Sequence, residues 1–235
     1  MLAKVCCLLI GYCFGLLQTG YLYGKFKGID IRSVGSGNAG TTNMLRTLGP
    51  GAGLITLLCD AFKTVLAMLV SWLIFHKSYP EMVTLLELYA GAGAVLGHDF
   101  PFYMHFKGGK GIACTAGLVI GMHNPILFVL GFITFFGIFF TTHYVSLGSL
   151  MIYLGLVVES IIMGENGIGN VSQMAFPNRL EFYIILIALM ALAYYQHRAN
   201  IVRLFTGCER RTYLSKEKNK AEAERYNKMM EEKKK

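Results

Sequence analysis

The chain has 235 residues, of which 54% are hydrophobic and only 15% charged, and its mean hydropathy is +0.48. This composition is typical of an integral membrane protein, and it excludes an ordinary soluble enzyme or a disordered chain. The net charge of +8 is unevenly distributed, because Lys and Arg lie in loops and in the last part of the chain. The six cysteines lie mostly in apolar runs without paired spacing, which indicates small buried side chains rather than a disulfide or metal framework.

Apolar runs predict an all-α protein with about seven transmembrane helices. A helix needs about 20 apolar residues to cross the hydrocarbon core, and fewer where the bilayer thins. The run 112–140 is interrupted by His123, Asn124 and Pro125. Because Asn-Pro disfavours helix continuation, we divide this run into two short spans; the alternative is one helix kinked at Pro125. The runs cover about residues 5–23, 53–75, 82–96, 112–140, 144–163 and 180–195.

The distribution of basic residues decides between six and seven spans. With seven spans, regions 24–51, 97–111 and 197–235 share one side of the membrane and contain 18 of the 22 Lys and Arg residues. With six, the basic C-terminal segment would lie opposite the other two regions. The positive-inside rule therefore favours seven spans, with the N-terminus outside and these three regions in the cytoplasm. We expect one membrane domain over 1–211 and a charged cytoplasmic tail over 212–235.

The tail is predicted to be a solvated helix. Glu224 with Lys228, and Glu231 with Lys235, have the favourable acid-before-base order at a spacing of four residues. We interpret the tail as a solubilising and orienting extension. The alternative is contact between its basic side chains and anionic lipid headgroups.

Two glycine-rich, basic stretches on the predicted cytoplasmic side have the composition of an anion site. GSGNAGTTNMLR (35–46) interleaves glycines with short polar side chains and ends in Arg46, whose planar guanidinium suits phosphate oxygens. GHDFPFYMHFKGGKG (97–111) has a Gly-Gly pair between Lys107 and Lys110. We expect consecutive free N–H groups in such turns to bind an anion. The simpler alternatives are a turn-rich connector and a loop whose lysines only set membrane orientation.

A third stretch, HRANIVRL (197–204), offers a proton-transfer group. His197 and Asn200 are three residues apart and face the same way on a helix, and imidazole transfers protons near neutral pH. Asp60 and Lys63 lie inside the second span, where we expect an ion pair that ties helices together rather than a proton relay. Ser146 is a further candidate hydroxyl. No carboxylate pair has metal-ligand spacing, which argues against Mg²⁺-dependent phosphoryl chemistry.

Together the three motifs resemble the signature motifs of the bacterial membrane acyl-phosphate:glycerol-3-phosphate acyltransferases, in order and over about residues 5–209. The resemblance implies seven helices in the bacterial plasma membrane, no metal or cofactor, and transfer of a fatty acyl group from acyl phosphate to glycerol 3-phosphate. The implied partners are these two substrates, the lipid bilayer and the soluble enzyme that makes acyl phosphate, with no nucleic acid. The sequence departs from the family pattern at Thr41, where a small Ala is expected.

The same motifs supply the candidate site residues. The resemblance implies that the active site is lined by Ser36, Arg46, Lys110, His197 and Asn200. Phosphate-binding candidates within the motifs are Gly35, Gly37, Asn38, Thr42, Asn43, Lys107, Gly108, Gly109 and Arg203, and the further candidates are His98 and Ser146. We expect the acyl chain to lie between helices, where Gly91, Gly93 and Ala94 leave room.

A transporter or channel for organic anions is the alternative function, because it would share basic loops and membrane glycines. Such proteins tend to place the site at the membrane midplane and often show internal repeats. This chain has no repeat between its halves, and its polar motifs lie at the membrane edge. As for the donor, no histidine has Asp five positions later, so the His-x4-Asp dyad of the common thioester-dependent glycerolipid acyltransferases is missing.

Overall fold

The computed structural model describes residues 1–233, and within this range the regular structure is helical without strands. Three short 3-10 turns lie at Ile31–Ser33, Pro80–Met82 and Phe102–Met104. The α-helices of the described range are α1 (Leu2–Gly15), α2 (Thr19–Phe26), α3 (Thr41–Leu48), α4 (Pro50–Phe75), α5 (Val83–Asp99), α6 (Ile112–Gly121), α7 (Pro125–Thr142), α8 (Val145–Glu165), α9 (Gly169–Ser172), α10 (Phe176–Gln196), α11 (Arg198–Phe205) and α12 (Lys216–Glu232).

Several of these helices have the length and composition of membrane spans. Within residues 1–233, five segments qualify: α1 with α2, α4, α7, α8 and α10. Helix α5 has 17 residues and α6 only 10, so both are shorter than a standard span. The all-α, multi-pass membrane fold is therefore confirmed, whereas the count of seven spans stays a prediction.

The first predicted span is not one continuous helix. Helix α1 ends at Gly15 and α2 begins at Thr19, although the run 5–23 is apolar enough for a single helix. The break leaves backbone carbonyls inside the protein without helical partners. The ammonium of Lys63 on α4 donates to the carbonyls of Gly15 and Leu17, which satisfies the broken end.

The run 112–140 does divide into two helices, as predicted. Helix α6 ends at Gly121, and the Asn124 side chain caps α7 by accepting from the N–H groups of Ile126 (3.1 Å) and Leu127 (3.3 Å). His123 adopts a φ of 52° in the turn. The Asn-Pro pair therefore ends one helix and starts the next.

Glycines pack α1 tightly against α5. A Cβ on Gly11 would lie 1.9 Å from a carbonyl oxygen of α5, and one on Gly93 would lie 2.1 Å from a carbonyl oxygen of α1. A Cβ on Gly91 would lie 2.8 Å from the Leu118 side chain of α6, and Ala94 is fully buried. The expectation that these small residues leave room for an acyl chain is wrong, because neighbouring helices fill that space.

The predicted ion pair between Asp60 and Lys63 is confirmed, at 2.8 Å and fully inside the protein. Thr19 of α2 donates to the same Asp60 oxygen (3.0 Å), and Lys63 donates to Nδ1 of His98 on α5 (3.0 Å). The pair therefore ties α2, α4 and α5 together at the floor of the cavity described below.

The tail is helical as predicted, but it is not simply solvated. Helix α12 begins after Ser215, whose hydroxyl accepts from the N–H of Lys218 (3.3 Å), and it packs against α3. Asn219 and Glu222 on its inner face are buried. The predicted pair of Glu231 with Lys235 lies outside the described residues.

Candidate active site

The first glycine-rich motif forms a loop that the Asn43 side chain holds in place. The Asn43 carbonyl oxygen accepts from the N–H of Ser36 (2.9 Å). Its amide nitrogen donates, at 3.0 Å each, to the carbonyls of Ile31, Val34 and Asn38. Because both ends of this amide are engaged by the loop, Asn43 positions the backbone rather than contacting a phosphate directly.

Positive backbone angles shape the same loop. Gly35 and Gly37 have φ values of 63° and 71°, a region that favours glycine. A Cβ on Gly35 would also lie 2.1 Å from the Asn43 oxygen. The resulting turn leaves Ser36 exposed next to the start of α3, where the motif faces an open cavity.

Arg46 lies on α3 and reaches the segment that follows α11. Its Nε and Nη2 donate to the hydroxyl of Thr212 (2.9 and 2.6 Å), and Nη2 also donates to the carbonyl of Arg210 (2.8 Å). Burial, and then the positive charge of Arg210, lower the pKa of Arg46 to about 10. The guanidinium therefore remains charged at neutral pH.

His197 lies at the junction between α10 and α11. Its Nδ1 is 2.8 Å from the carbonyl of Ala193; because a carbonyl only accepts, Nδ1 carries the proton and Nε2 keeps a free lone pair. Burial, and then the charge of Lys110, lower the pKa of His197 to about 4. The imidazole is therefore neutral at pH 7.

A hydrogen-bond network centred on Glu209 joins the second and third motifs. Lys110 Nζ donates to the side-chain oxygen of Asn200 (2.5 Å), and the Asn200 nitrogen donates to Glu209 (2.7 Å). The hydroxyl of Ser146 donates to the same carboxylate oxygen (2.9 Å), and Arg203 Nε donates to the other (2.8 Å). This carboxylate fixes the orientation of Asn200, which in turn holds the ammonium of Lys110.

The cavity between these groups has a volume of about 930 Å³ and is lined by both charged and apolar side chains. The charged part of the lining carries an excess of positive charge, because the carboxylates of Asp60 and Glu209 are outnumbered by Arg46, Lys110, Arg198, Arg203 and Arg210. The apolar part of the lining includes Leu54, Leu57, Ile112, Phe135, Phe136 and Phe139. Burial, followed by the charge of Arg203, lowers the pKa of Lys110 to about 8. Such a cavity suits a molecule that has both an anionic group and a hydrocarbon chain.

A family model described as glycerol-3-phosphate acyltransferase matches residues 5–207. The chain belongs to this family. The glycerol-3-phosphate acyltransferase of Staphylococcus haemolyticus is 38% identical over 205 residues, which cover 86% of this chain and 94% of the relative. That of Clostridioides difficile is 38% identical over 210 residues, covering 88% and 95%.

Solved structures agree with the family assignment. The chain resembles the crystal structure of PlsY (YgiH), an integral membrane glycerol 3-phosphate acyltransferase, in its glycerol 3-phosphate form. The TM-score is 0.74 at 31% identity, and the match covers 89% of this chain and 96% of that one. The lysophosphatidic acid form of the same protein gives a TM-score of 0.73 at 30% identity.

Most of the predicted site residues of this acyltransferase line the same cavity. They come from four parts of the sequence that are far apart, and α3, α5, α8 and α11 or their adjoining loops bring them together. The predicted residues that line the cavity are Gly35, Ser36, Gly37, Asn38, Thr42, Asn43, Arg46, His98, Lys110, Ser146, His197, Asn200 and Arg203.

Three predicted phosphate contacts do not face the cavity. The N–H groups of Gly108 and Gly109 are not free, because they donate to the carbonyls of Asp99 and His98 (3.0 Å each) at the end of α5. Lys107 is exposed and is not among the residues that line the cavity. The prediction of an anion-binding turn at the Gly-Gly pair is therefore wrong: the pair packs the loop against α5, and only Lys110 reaches the site.

Sequence reasoning missed Glu209 and the tail residues at the site. Glu209 is the one acidic residue between Arg203 and Arg210, and this isolation in a basic stretch is a signal that could have indicated a partner for those charges. Leu214 and Tyr226 also line the cavity, and nothing in a charged tail indicates that they would. Within residues 1–233, no group of three or more His, Cys, Asp or Glu side chains is arranged to hold a metal ion.

Proposed function

We propose that the protein transfers a fatty acyl group from acyl phosphate to glycerol 3-phosphate, giving lysophosphatidic acid and inorganic phosphate. The observation that carries this proposal is the single cavity that joins a cluster of cations to an apolar wall. The two substrates need these features, because both carry a phosphate and one carries a fatty chain. The names of the relatives indicate that the acceptor is glycerol 3-phosphate, and the chemistry of the site supports acyl phosphate as the donor.

The reaction does not require a nucleophile from the protein. Acyl phosphate is an activated mixed anhydride, so the glycerol hydroxyl attacks the acyl carbon directly. The new ester C–O bond forms, the bond between the acyl carbon and the phosphate oxygen breaks, and phosphate leaves with the electron pair. The protein has to hold two anions close together, and such positioning in a pre-arranged field lowers a barrier by several kcal/mol.

The proton of the attacking hydroxyl has two candidate acceptors. One is Nε2 of His197, which keeps a free lone pair because Nδ1 bonds the Ala193 carbonyl. The other is an oxygen of a substrate phosphate. A pKa of about 4 makes the imidazole a weak base. Bound phosphates would raise this pKa, because nearby negative charge favours the imidazolium.

Arg46 and Lys110, which both line the cavity, are proposed to hold the phosphates. Arg46 can offer a planar pair of donors, and the Lys110 ammonium keeps two N–H bonds beyond the one to Asn200. Ser36 adds a hydroxyl from the glycine loop. The acyl chain is proposed to lie along Phe135, Phe136 and Phe139 rather than between α1 and α5.

We further propose that the cavity opens to the cytoplasm of a bacterial cell, with the N-terminus outside. The positive-inside distribution supports this orientation. It would let a soluble enzyme deliver acyl phosphate to the same face of the membrane. No metal or cofactor is proposed for the reaction, because the donor is already activated and the basic side chains can offset the charge of the leaving group.

Acyl transfer by the purified protein in detergent tests the proposal. Palmitoyl phosphate and radiolabelled glycerol 3-phosphate should give labelled lysophosphatidic acid and an equal amount of inorganic phosphate. The anion-transporter alternative predicts flux of glycerol 3-phosphate into vesicles without any new lipid. Uptake without product would overturn the proposal.

A further inference from the structure

The C-terminal segment lies beyond the part of the chain that the family model matches. The match to the family model ends at residue 207, and the match to the Staphylococcus haemolyticus relative covers 86% of this chain. Nevertheless, Arg210, Leu214 and Tyr226 from this segment line the catalytic cavity. A segment that only solubilised the protein would not be expected to line the cavity.

Specific hydrogen bonds hold this segment in place. The side chain of Asn219 accepts from the N–H of Tyr213 (2.9 Å) and donates to its carbonyl (2.7 Å). Glu222 accepts from the N–H of Arg211 (3.0 Å). The N–H of Thr212 donates to the carbonyl of His143 in the turn between α7 and α8 (2.9 Å). Because Asn219, Glu222 and Thr212 are all buried, this is a packed contact rather than a loose one.

The segment binds Arg46 through neutral acceptors. The Thr212 hydroxyl and the Arg210 carbonyl bond Nε and Nη2 of the guanidinium, and within residues 1–233 no protein acceptor bonds Nη1. Neither acceptor carries a negative charge. The nearby carboxylates of Glu209 and Glu222 are engaged by other donors. The guanidinium is therefore fixed in orientation while its charge and its Nη1 donors remain available.

We propose that the segment 210–226 is part of the active site and that Thr212 is a positioning residue, which aims Nη1 of Arg46 at a substrate phosphate. This inference rests on the proposed function, since it assigns Arg46 to phosphate binding. If the segment inhibited the enzyme by competing with the substrate, it would be expected to offer Arg46 an anionic group. The acceptors are neutral, which favours a role in positioning Arg46 over a role in inhibition. Preorganisation of this kind lowers the cost of binding because the side chain does not have to be ordered by the ligand.

Three substitutions in the full-length protein test the inference. Thr212→Val keeps the shape of the side chain and removes the acceptor, so the KM for glycerol 3-phosphate should rise or kcat should fall, with kcat/KM at least about tenfold lower. Thr212→Ser restores the hydroxyl and should recover most of the activity. Thr206→Val is the matched control, because the exposed Thr206 hydroxyl bonds only carbonyls of its own helix.

A double-mutant cycle shows whether Thr212 acts through Arg46. In an Arg46→Ala background, Thr212→Val should cost no further activity, because the group that it positions is gone. Equal losses in both backgrounds would overturn the inference, as would an unchanged kcat/KM in Thr212→Val alone. Thermal unfolding in detergent identifies a loss that comes from misfolding, and Thr212→Ser remains informative in that case.

A binding measurement separates this inference from the proposed function. Titration calorimetry with glycerol 3-phosphate alone reports the anion site without any acyl donor, and Thr212→Val should weaken binding by about tenfold. Weaker binding by this variant, with no acyl transfer in the parent protein, would reject the proposed function and retain the positioning role. Normal binding and normal transfer in Thr212→Val would reject the positioning role only.

Discussion

Lys110 provides the sharpest single test of the site, because the neighbouring Lys107 is a built-in control. Both lysines flank the Gly-Gly pair, but only Lys110 reaches the cavity. A unit charge about 4 Å from a phosphate charge contributes about 4 kcal/mol at an effective dielectric constant of about 20. Arg46 and Arg203 remain nearby and compensate in part. We therefore expect Lys110→Ala to lower kcat/KM at least about a hundredfold, which is about 2.7 kcal/mol of transition-state stabilisation.

The assay follows radiolabelled glycerol 3-phosphate into lipid with purified Lys110→Ala and Lys107→Ala proteins side by side. Lys107→Ala should stay within about twofold of the parent protein, because the side chain is exposed and lies outside the cavity. Comparable losses in both variants would mean that the loop acts through its total charge. Near-normal activity in a well-folded Lys110→Ala protein would refute the site as described.

Three further outcomes follow from the same structure. The pKa of Lys110 is lowered to about 8, so its charge is lost as the pH rises through that value; kcat/KM should fall above about pH 8, and Lys110→Arg should move that fall to higher pH. Gly109→Ala should lower activity about as much as Lys110→Ala, and also lower thermal stability, because its Cβ would lie 1.9 Å from Nε2 of His98. In intact cells, a unique Cys at Ser172 should react with an impermeant thiol reagent and one at Lys220 should not; equal labelling would contradict the seven-span orientation.

Local chemistry made parts of the fold predictable from the sequence. The break between α6 and α7 follows from Asn124 and Pro125, because the Asn side chain caps a helix and Pro cannot continue one. The break between α1 and α2 was not predictable, because Gln18 and Thr19, the polar residues at the break, do not by themselves end a helix. Its freed carbonyls are satisfied by Lys63, which is more than forty residues away in sequence.

Prediction of the site from the sequence had the same limit. The three motifs indicated that Arg46, Lys110 and His197 would meet, and the structure brings them to one cavity. Composition also suggested free N–H groups at Gly108 and Gly109, but it cannot show that the end of α5 accepts from both. The docking of the tail depends on hydrogen bonds between buried polar atoms, and in a sequence these residues look like any solvated segment.

The donor assay tests the central claim most directly. Purified protein is given palmitoyl phosphate, palmitoyl-CoA or palmitoyl acyl carrier protein separately, with radiolabelled glycerol 3-phosphate, EDTA and no enzyme that forms acyl phosphate. We predict efficient labelling of lysophosphatidic acid from palmitoyl phosphate alone, at a rate that EDTA does not reduce, and no comparable rate from either thioester. Efficient transfer from palmitoyl-CoA alone would contradict the proposed donor, even with the fold and the acceptor unchanged.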